Sequence, residues 1–60
     1  MAGKFEYFKD RSVKYRFRLI AGNGEIIAVS EAYNTEEACK NGIESVKKNA
    51  PEAPVQEVKE

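Results

Sequence analysis

Histidine and tryptophan are absent from this chain of 60 residues, and cysteine occurs once, as Cys39. A single thiol excludes an intramolecular disulfide, and without histidine a zinc cage lacks its usual ligand set. The same absence removes the base that would activate a cysteine nucleophile. No stretch approaches the roughly 18 apolar residues of a membrane span. The opening Met1-Ala2-Gly3-Lys4 lacks the apolar run of a secretory leader. Together with the lone thiol, these features lead us to expect a cytoplasmic protein.

Net charge is missing as well, with ten Lys+Arg against ten Asp+Glu. Binders of nucleic acid or anionic lipid usually carry a basic excess, so the balance argues against both. It conceals a polarity, however. Residues 1–20 hold six basic side chains (Lys4, Lys9, Arg11, Lys14, Arg16, Arg18) against Glu6 and Asp10, a net of +4; residues 21–60 hold four basic against eight acidic, a net of −4. Any electropositive surface must come from the N-terminal third.

Sixty residues form one domain, with residues 3–50 as its ordered part and 51–60 as a C-terminal strand or tail. A domain of this size buries only about 60% of the surface its unfolded chain exposes. Small cores of this kind are usually stapled, and with disulfide and zinc excluded the readiest source of extra buried surface is a second copy. A homodimer is expected.

The elements can be read from periodicity and turn chemistry. Lys4-Phe5-Glu6-Tyr7-Phe8-Lys9 is aromatic and partly alternating, a first strand. Asp10-Arg11-Ser12 supplies a turn. Val13 to Leu19 alternates for seven residues, with Val13, Tyr15, Phe17 and Leu19 on one face and Lys14, Arg16 and Arg18 on the other. Such a half-buried strand belongs to a sheet with one wet face.

Asn23-Gly24 between apolar runs signals a hairpin into a third strand, Glu25 to Ser30. A two-residue loop pairs Leu19 with Ala28 and Arg18 with Val29; a three-residue loop, Gly22-Asn23-Gly24, pairs Leu19 with Ile27 and Phe17 with Val29. The longer loop is preferred, because it keeps the large apolar side chains on one face and offers Gly24 the left-handed bulge position.

A helix opens at Asn34-Thr35-Glu36-Glu37, with Thr35 favoured as N-cap over Asn34 and acid at the positive end of the dipole. Cys39, Gly42, Ile43 and Val46 form its apolar stripe, while Glu36, Lys40, Glu44 and Lys47 face outward. Lys47-Lys48-Asn49 suits its end, and Pro51 stops it. A glycine inside a helix costs about 1 kcal/mol against alanine, so Gly42 marks close approach of helix to sheet. From the residues alone, the tail around Val55 to Val58 is frayed or a short edge-type strand, with fraying favoured.

The segments Tyr15-Arg16-Phe17-Arg18-Leu19, Asn23-Gly24-Glu25-Ile26-Ile27-Ala28, Ser30-Glu31-Ala32-Tyr33 and Gly42 to Ala50 resemble, in this order, the YegP-like family, small bacterial and archaeal proteins classed as a domain of unknown function. The resemblance covers residues 3–50. It implies a β-β-β-α-β unit, two-layered and α+β, occurring as tandem repeats or as a homodimer with one continuous sheet and exchanged C-terminal strands. A single unit is then the homodimer case, and Val55 and Val58 become dimer contacts. Two departures stand out: Val13 occupies a place where members often have glycine, and the tail is less apolar than an exchanged strand leads one to expect. The family supplies no catalytic motif.

Candidate chemistry is sparse. Cys39 reads as a small core residue, Glu36-Glu37 as helix capping, and Gly22-Asn23-Gly24 as a hairpin turn without the spacing of a phosphate loop. No cofactor, metal ligand set or catalytic residue is expected, and the chain reads as a non-enzymatic binding or assembly module. The one surface with ligand potential is Lys14, Arg16 and Arg18, spaced by two on one sheet face with Phe8 and Ile20 beside them. Basic groups next to an aromatic on an open sheet hold single-stranded nucleic acid by charge and stacking. The plainer alternative, favoured by the zero net charge, is a solvated face paired across strands, for instance to Glu6.

Overall fold

The structure, a computed structural model, describes residues 3–59. Met1, Ala2 and Glu60, which the single-domain expectation includes, lie outside the described residues. The element order is β1 (Lys4–Lys9), β2 (Tyr15–Ile20), β3 (Ile26–Val29) and α1 (Glu36–Asn49), followed by a 3-10 turn at Ala50–Glu52. The three strands form an antiparallel meander in the order β1-β2-β3. The α+β expectation of three strands and one helix therefore holds.

Register assigns the two faces. Phe5↔Leu19 and Tyr7↔Phe17 lie on one, while Lys4↔Ile20, Glu6↔Arg18 and Phe8↔Arg16 lie on the other. α1 covers the first face through its stripe, with Cys39 fully buried. Phe17 is the hub: it meets Phe5 edge to face at 6.0 Å and stacks on Tyr33 at 6.2 Å. Gly42 sits above this pair, and a Cβ there would lie 2.5 Å from Tyr33 Oη and 3.1 Å from Phe17 Cε2. The close approach inferred from a mid-helix glycine is thus present.

The helix begins where expected. Thr35 is extended and its Oγ1 accepts from the Ala38 N–H at 3.1 Å. At the other end α1 stops at Asn49, and Pro51 is held in the 3-10 turn rather than in the helix. On its outer face Lys40 pairs with Glu36 at 3.0 Å.

Two expectations need correction. Val13 does not open β2 on its apolar face; it lies in the turn, 65% exposed, with φ 61°. The cause is the loop's hydrogen bonding. Asp10 Oδ1 accepts from the Ser12 and Lys14 amides, Val13 N–H donates to the Asp10 carbonyl at 3.0 Å, and Asp10 N–H donates to the Lys14 carbonyl at 2.8 Å. A three-residue loop closed this way puts its last residue in the left-handed region, whatever that residue is.

The second correction concerns register. Gly22-Asn23-Gly24 does form the three-residue loop: Gly24 has φ 91°, its N–H donates to the Ala21 carbonyl at 2.9 Å, and Ala21 N–H donates to the Glu25 carbonyl at 2.8 Å. The pairs Leu19 with Ile27 and Phe17 with Val29 are nevertheless absent. Ile20 pairs with Ile26, a bulge intervenes, and beyond it Leu19 pairs with Ala28 and Arg18 with Val29. Ile27 is the extra residue, and the bulge reconciles the longer loop with the pairing of the shorter one. After Val29 the chain returns to β2, where Tyr15 and Tyr33 exchange backbone hydrogen bonds at 2.7 and 2.8 Å.

Candidate interaction surface

The face away from α1 carries Glu6 and Phe8 from β1 and Arg16, Arg18 and Ile20 from β2, because each pair is locked by the β1–β2 register. Arg16 Nε contacts Asp10 Oδ2 at 2.8 Å, and its Nη1 donates to the Ser30 carbonyl at 3.3 Å. Arg18 grips Glu6 Oε1 through Nε at 2.9 Å and Nη2 at 2.8 Å, while Lys4 reaches Glu6 Oε2 at 3.2 Å. The Arg18 guanidinium lies 5.3 Å from the Phe8 ring centroid. Lys14 precedes β2, and its ammonium donates to Asn34 Oδ1.

The basic trio is therefore split: Arg16 and Arg18 share the open face as spacing predicts, and Lys14 is tied to the segment before α1. Both arginines have acidic partners. Arg16, and after it the Lys14 amide, holds the Asp10 carboxyl below its usual range; Arg18, then Lys4, does the same for Glu6. Such partly exposed pairs are screened by water and salt, but they occupy the guanidinium donors a phosphate would need.

A second feature was not foreseen. All four β3 residues are exposed, including Ile26, Ile27 and Val29 at 53%, 61% and 58%. Beside them, between sheet and helix, opens an apolar groove of about 300 Å³ lined by Phe5, Phe17, Leu19, Ala28, Tyr33 and Val46, with Glu31 at its margin. The signal in the sequence is the unbroken run Ile26-Ile27-Ala28-Val29, because a strand wet on one face alternates and a continuous apolar run reads as covered on both.

Val55 and Val58 stand fully and four-fifths exposed on a tail without regular secondary structure. The last backbone hydrogen bond among the described residues outside regular elements joins Ala53 N–H to the Ala50 carbonyl. Cys39 is buried as expected, and burial, with Glu36 adding to it, pushes its thiol pKa up. Among the described residues no group of three or more His, Cys, Asp or Glu could hold a metal ion, and no helix is long and apolar enough to cross a membrane.

The family model for a domain of unknown function, DUF1508, matches residues 10–57. The chain belongs to the DUF1508 family. The family carries no assigned activity, in keeping with a role not legible from the residues. A UPF0339 protein of Treponema denticola is 67% identical over 58 residues, covering 97% of this chain and all of the relative. The UPF0339 protein YegP of Escherichia coli is 46% identical over 52 residues, 87% of this chain but 47% of YegP, so that DUF1508 relative is about twice one unit long. The resemblance to YegP-like proteins is thereby established. A solution structure of a protein from Haloferax volcanii shares the fold, with TM-score 0.85, 48% identity and coverage of 95% of this chain and 97% of that one.

Proposed function

We propose that this DUF1508 chain is a non-enzymatic, cytoplasmic assembly module that works as a homodimer, with the C-terminal segments exchanged and Val55 and Val58 as contacts. The observation that carries this reading is the tail itself: residues 53–59 form no regular secondary structure and both valines are exposed. Two further facts agree with it. The Cα radius of gyration is 13.0 Å, against about 10 Å for a compact chain of this length. Relatives of double length also exist, which is what a fused pair of units requires.

The test is light scattering of the full chain and of a version ending at Ala50. A dimer that becomes a monomer on truncation supports the reading. A monomeric full chain sinks the dimer, and a dimer indifferent to truncation sinks the exchange.

A second reading, weak single-strand nucleic-acid binding through Lys14, Arg16 and Arg18, is favoured by Arg18 lying over Phe8. Against it, ligand phosphates must displace Glu6 and Asp10. Titration of labelled single-stranded RNA at low salt decides: no binding, or binding untouched by Arg16→Ala with Arg18→Ala, removes it.

A further inference from the structure

We propose that the turn between β1 and β2 is a docking site for an acidic segment of a partner protein, gripped by Lys9, Arg11 and Lys14 around the exposed side chain of Val13. This surface does not depend on the exchanged tail, and it lies beyond the Arg16 and Arg18 pairs of the open face.

Charge is the first observation. Lys4, Arg16, Arg18, Lys40 and Lys47 are each ion-paired. Lys9, Arg11 and Lys14 make no ion pair among the described residues, and all three fall between positions 9 and 14. The Lys9 ammonium lies 5.4 Å from the Tyr15 ring centroid, and the Lys14 ammonium donates to Asn34 Oδ1, so both have neutral partners that leave their charge uncompensated. Asp10, the one acid in this stretch, is already committed: Oδ1 accepts from the Ser12 and Lys14 amides at 2.8 and 3.0 Å, and Oδ2 holds Arg16 Nε at 2.8 Å. Glu36, whose field reaches Lys9, is itself tied to Lys40 and Tyr7. Residues 9–16 thus carry Lys9, Arg11, Lys14 and Arg16 against Asp10, a net of +3, in a chain whose overall charge is zero.

Val13 is the second observation. It is β-branched, 65% exposed and held at φ 61°, where a side chain of this shape is strained. Outliers of this kind persist where their surroundings over-determine them, and they gather at ligand clamps. Here the Asp10 hydrogen bonds fix the turn, so docking orders little that is not already ordered. The result is an apolar side chain presented among cations. An acidic segment that carries an apolar side chain matches both features, with carboxylates on the cations and the apolar group on Val13. Opposite charges also steer such a partner to the turn, and salt weakens the attraction. A nucleic acid matches only the charge, because the turn has no free aromatic face for a base: Tyr15 is half-buried with Lys9 over its ring.

The test is titration of the isotope-labelled full-length protein at low salt, followed by amide chemical shifts, with four probes: a short peptide of alternating Glu and Val, polyglutamate of the same length, oligouridylate, and phosphatidylserine vesicles. The alternating peptide is expected to bind more tightly than polyglutamate and to shift the amides of residues 9–14 first. Arg11→Ala with Lys14→Ala should weaken it about tenfold, whereas Lys48→Ala with Lys59→Ala, which removes the same charge elsewhere, should leave it unchanged. Val13→Gly, which relaxes the turn, should bring the alternating peptide down to the affinity of polyglutamate; a purely structural role for the valine predicts no such loss. No peptide binding at low salt, shifts confined to residues outside 9–14, or equal loss from the two double variants overturns the site. Tighter binding of oligouridylate or of the vesicles than of either peptide overturns the acidic segment as occupant. Affinity for the alternating peptide that Val13→Gly leaves untouched overturns the part given to Val13. None of the site residues lies in the tail, so each outcome stands whether the chain is a dimer or a monomer.

Discussion

Val13 and Gly24 occupy the same position in two turns of one build. In each, the last residue of a three-residue loop takes a left-handed φ, 61° for Val13 and 91° for Gly24, and donates its N–H three residues back. Glycine adopts this conformation freely, and a β-branched residue does so under strain. The first hairpin therefore achieves with Asp10's side-chain hydrogen bonds what the second achieves with a glycine.

Val13→Gly should stabilise the protein. Relief of a left-handed conformation is worth about 1–2 kcal/mol, and the added freedom of glycine in the unfolded chain takes back about 0.5–1 kcal/mol. A net gain of about 0.5–1 kcal/mol, read from the denaturant midpoint, is expected. A lower midpoint means that the exposed valine makes contacts that offset the strain.

Gly42→Ala should act in the opposite sense despite its higher helix propensity. The new methyl meets Tyr33 Oη at 2.5 Å and Phe17 Cε2 at 3.1 Å, and Phe17 is buried and unable to give way. Overpacking of about 1–3 kcal/mol set against a propensity gain of about 1 kcal/mol leaves a loss of about 1 kcal/mol. Tyr33→Phe in the same chain should recover part of it; equal loss with and without the hydroxyl contradicts the proposed contact.

Acid should destabilise the fold through Asp10, Glu6 and Glu36. Each carboxyl has its pKa lowered in the folded state, chiefly by Arg16, Arg18 and Lys40 respectively. Their stabilisation is complete above the unfolded-chain values near 4 and is lost as the pH falls through the lower folded values. Melting temperature should be flat near neutrality and fall below about pH 4, less steeply at high salt. Asp10→Asn keeps an acceptor for the Ser12 and Lys14 amides but loses the ion pair, and should flatten the acid limb.

Cys39 should resist alkylation under native conditions, because it is fully buried and its pKa is raised. Its reaction rate should follow denaturant-induced opening. Cys39→Ser buries a hydroxyl and should cost about 1–3 kcal/mol. Fast, complete reaction in the native state contradicts a closed helix–sheet layer.

Much of the fold was legible in local chemistry. The alternation of Tyr15 to Leu19 determines which side chains meet the helix, Thr35 determines where α1 starts, and Gly42 announces the closeness of its packing. These signals are local because a strand face, a cap and a missing Cβ each depend on neighbours along the chain. The pairing of Arg16 with Asp10 and of Arg18 with Glu6 was only half legible. Spacing puts the arginines on one face, but the β1–β2 register and the shape of the first turn decide which acids reach them.

The sequence by itself settles the order of the three strands and the helix and the helix boundaries, since each follows from residue types at fixed offsets. Only the tertiary structure decides three other matters. A hydrogen-bonded loop forces Val13 into a glycine's conformation. A bulge at Ile27 shifts the pairing beyond the turn by one residue. And β3, the last strand of the sheet among the described residues, is left an apolar edge. Each is a consequence of how the backbone closes its hydrogen bonds across strands, which no single segment specifies.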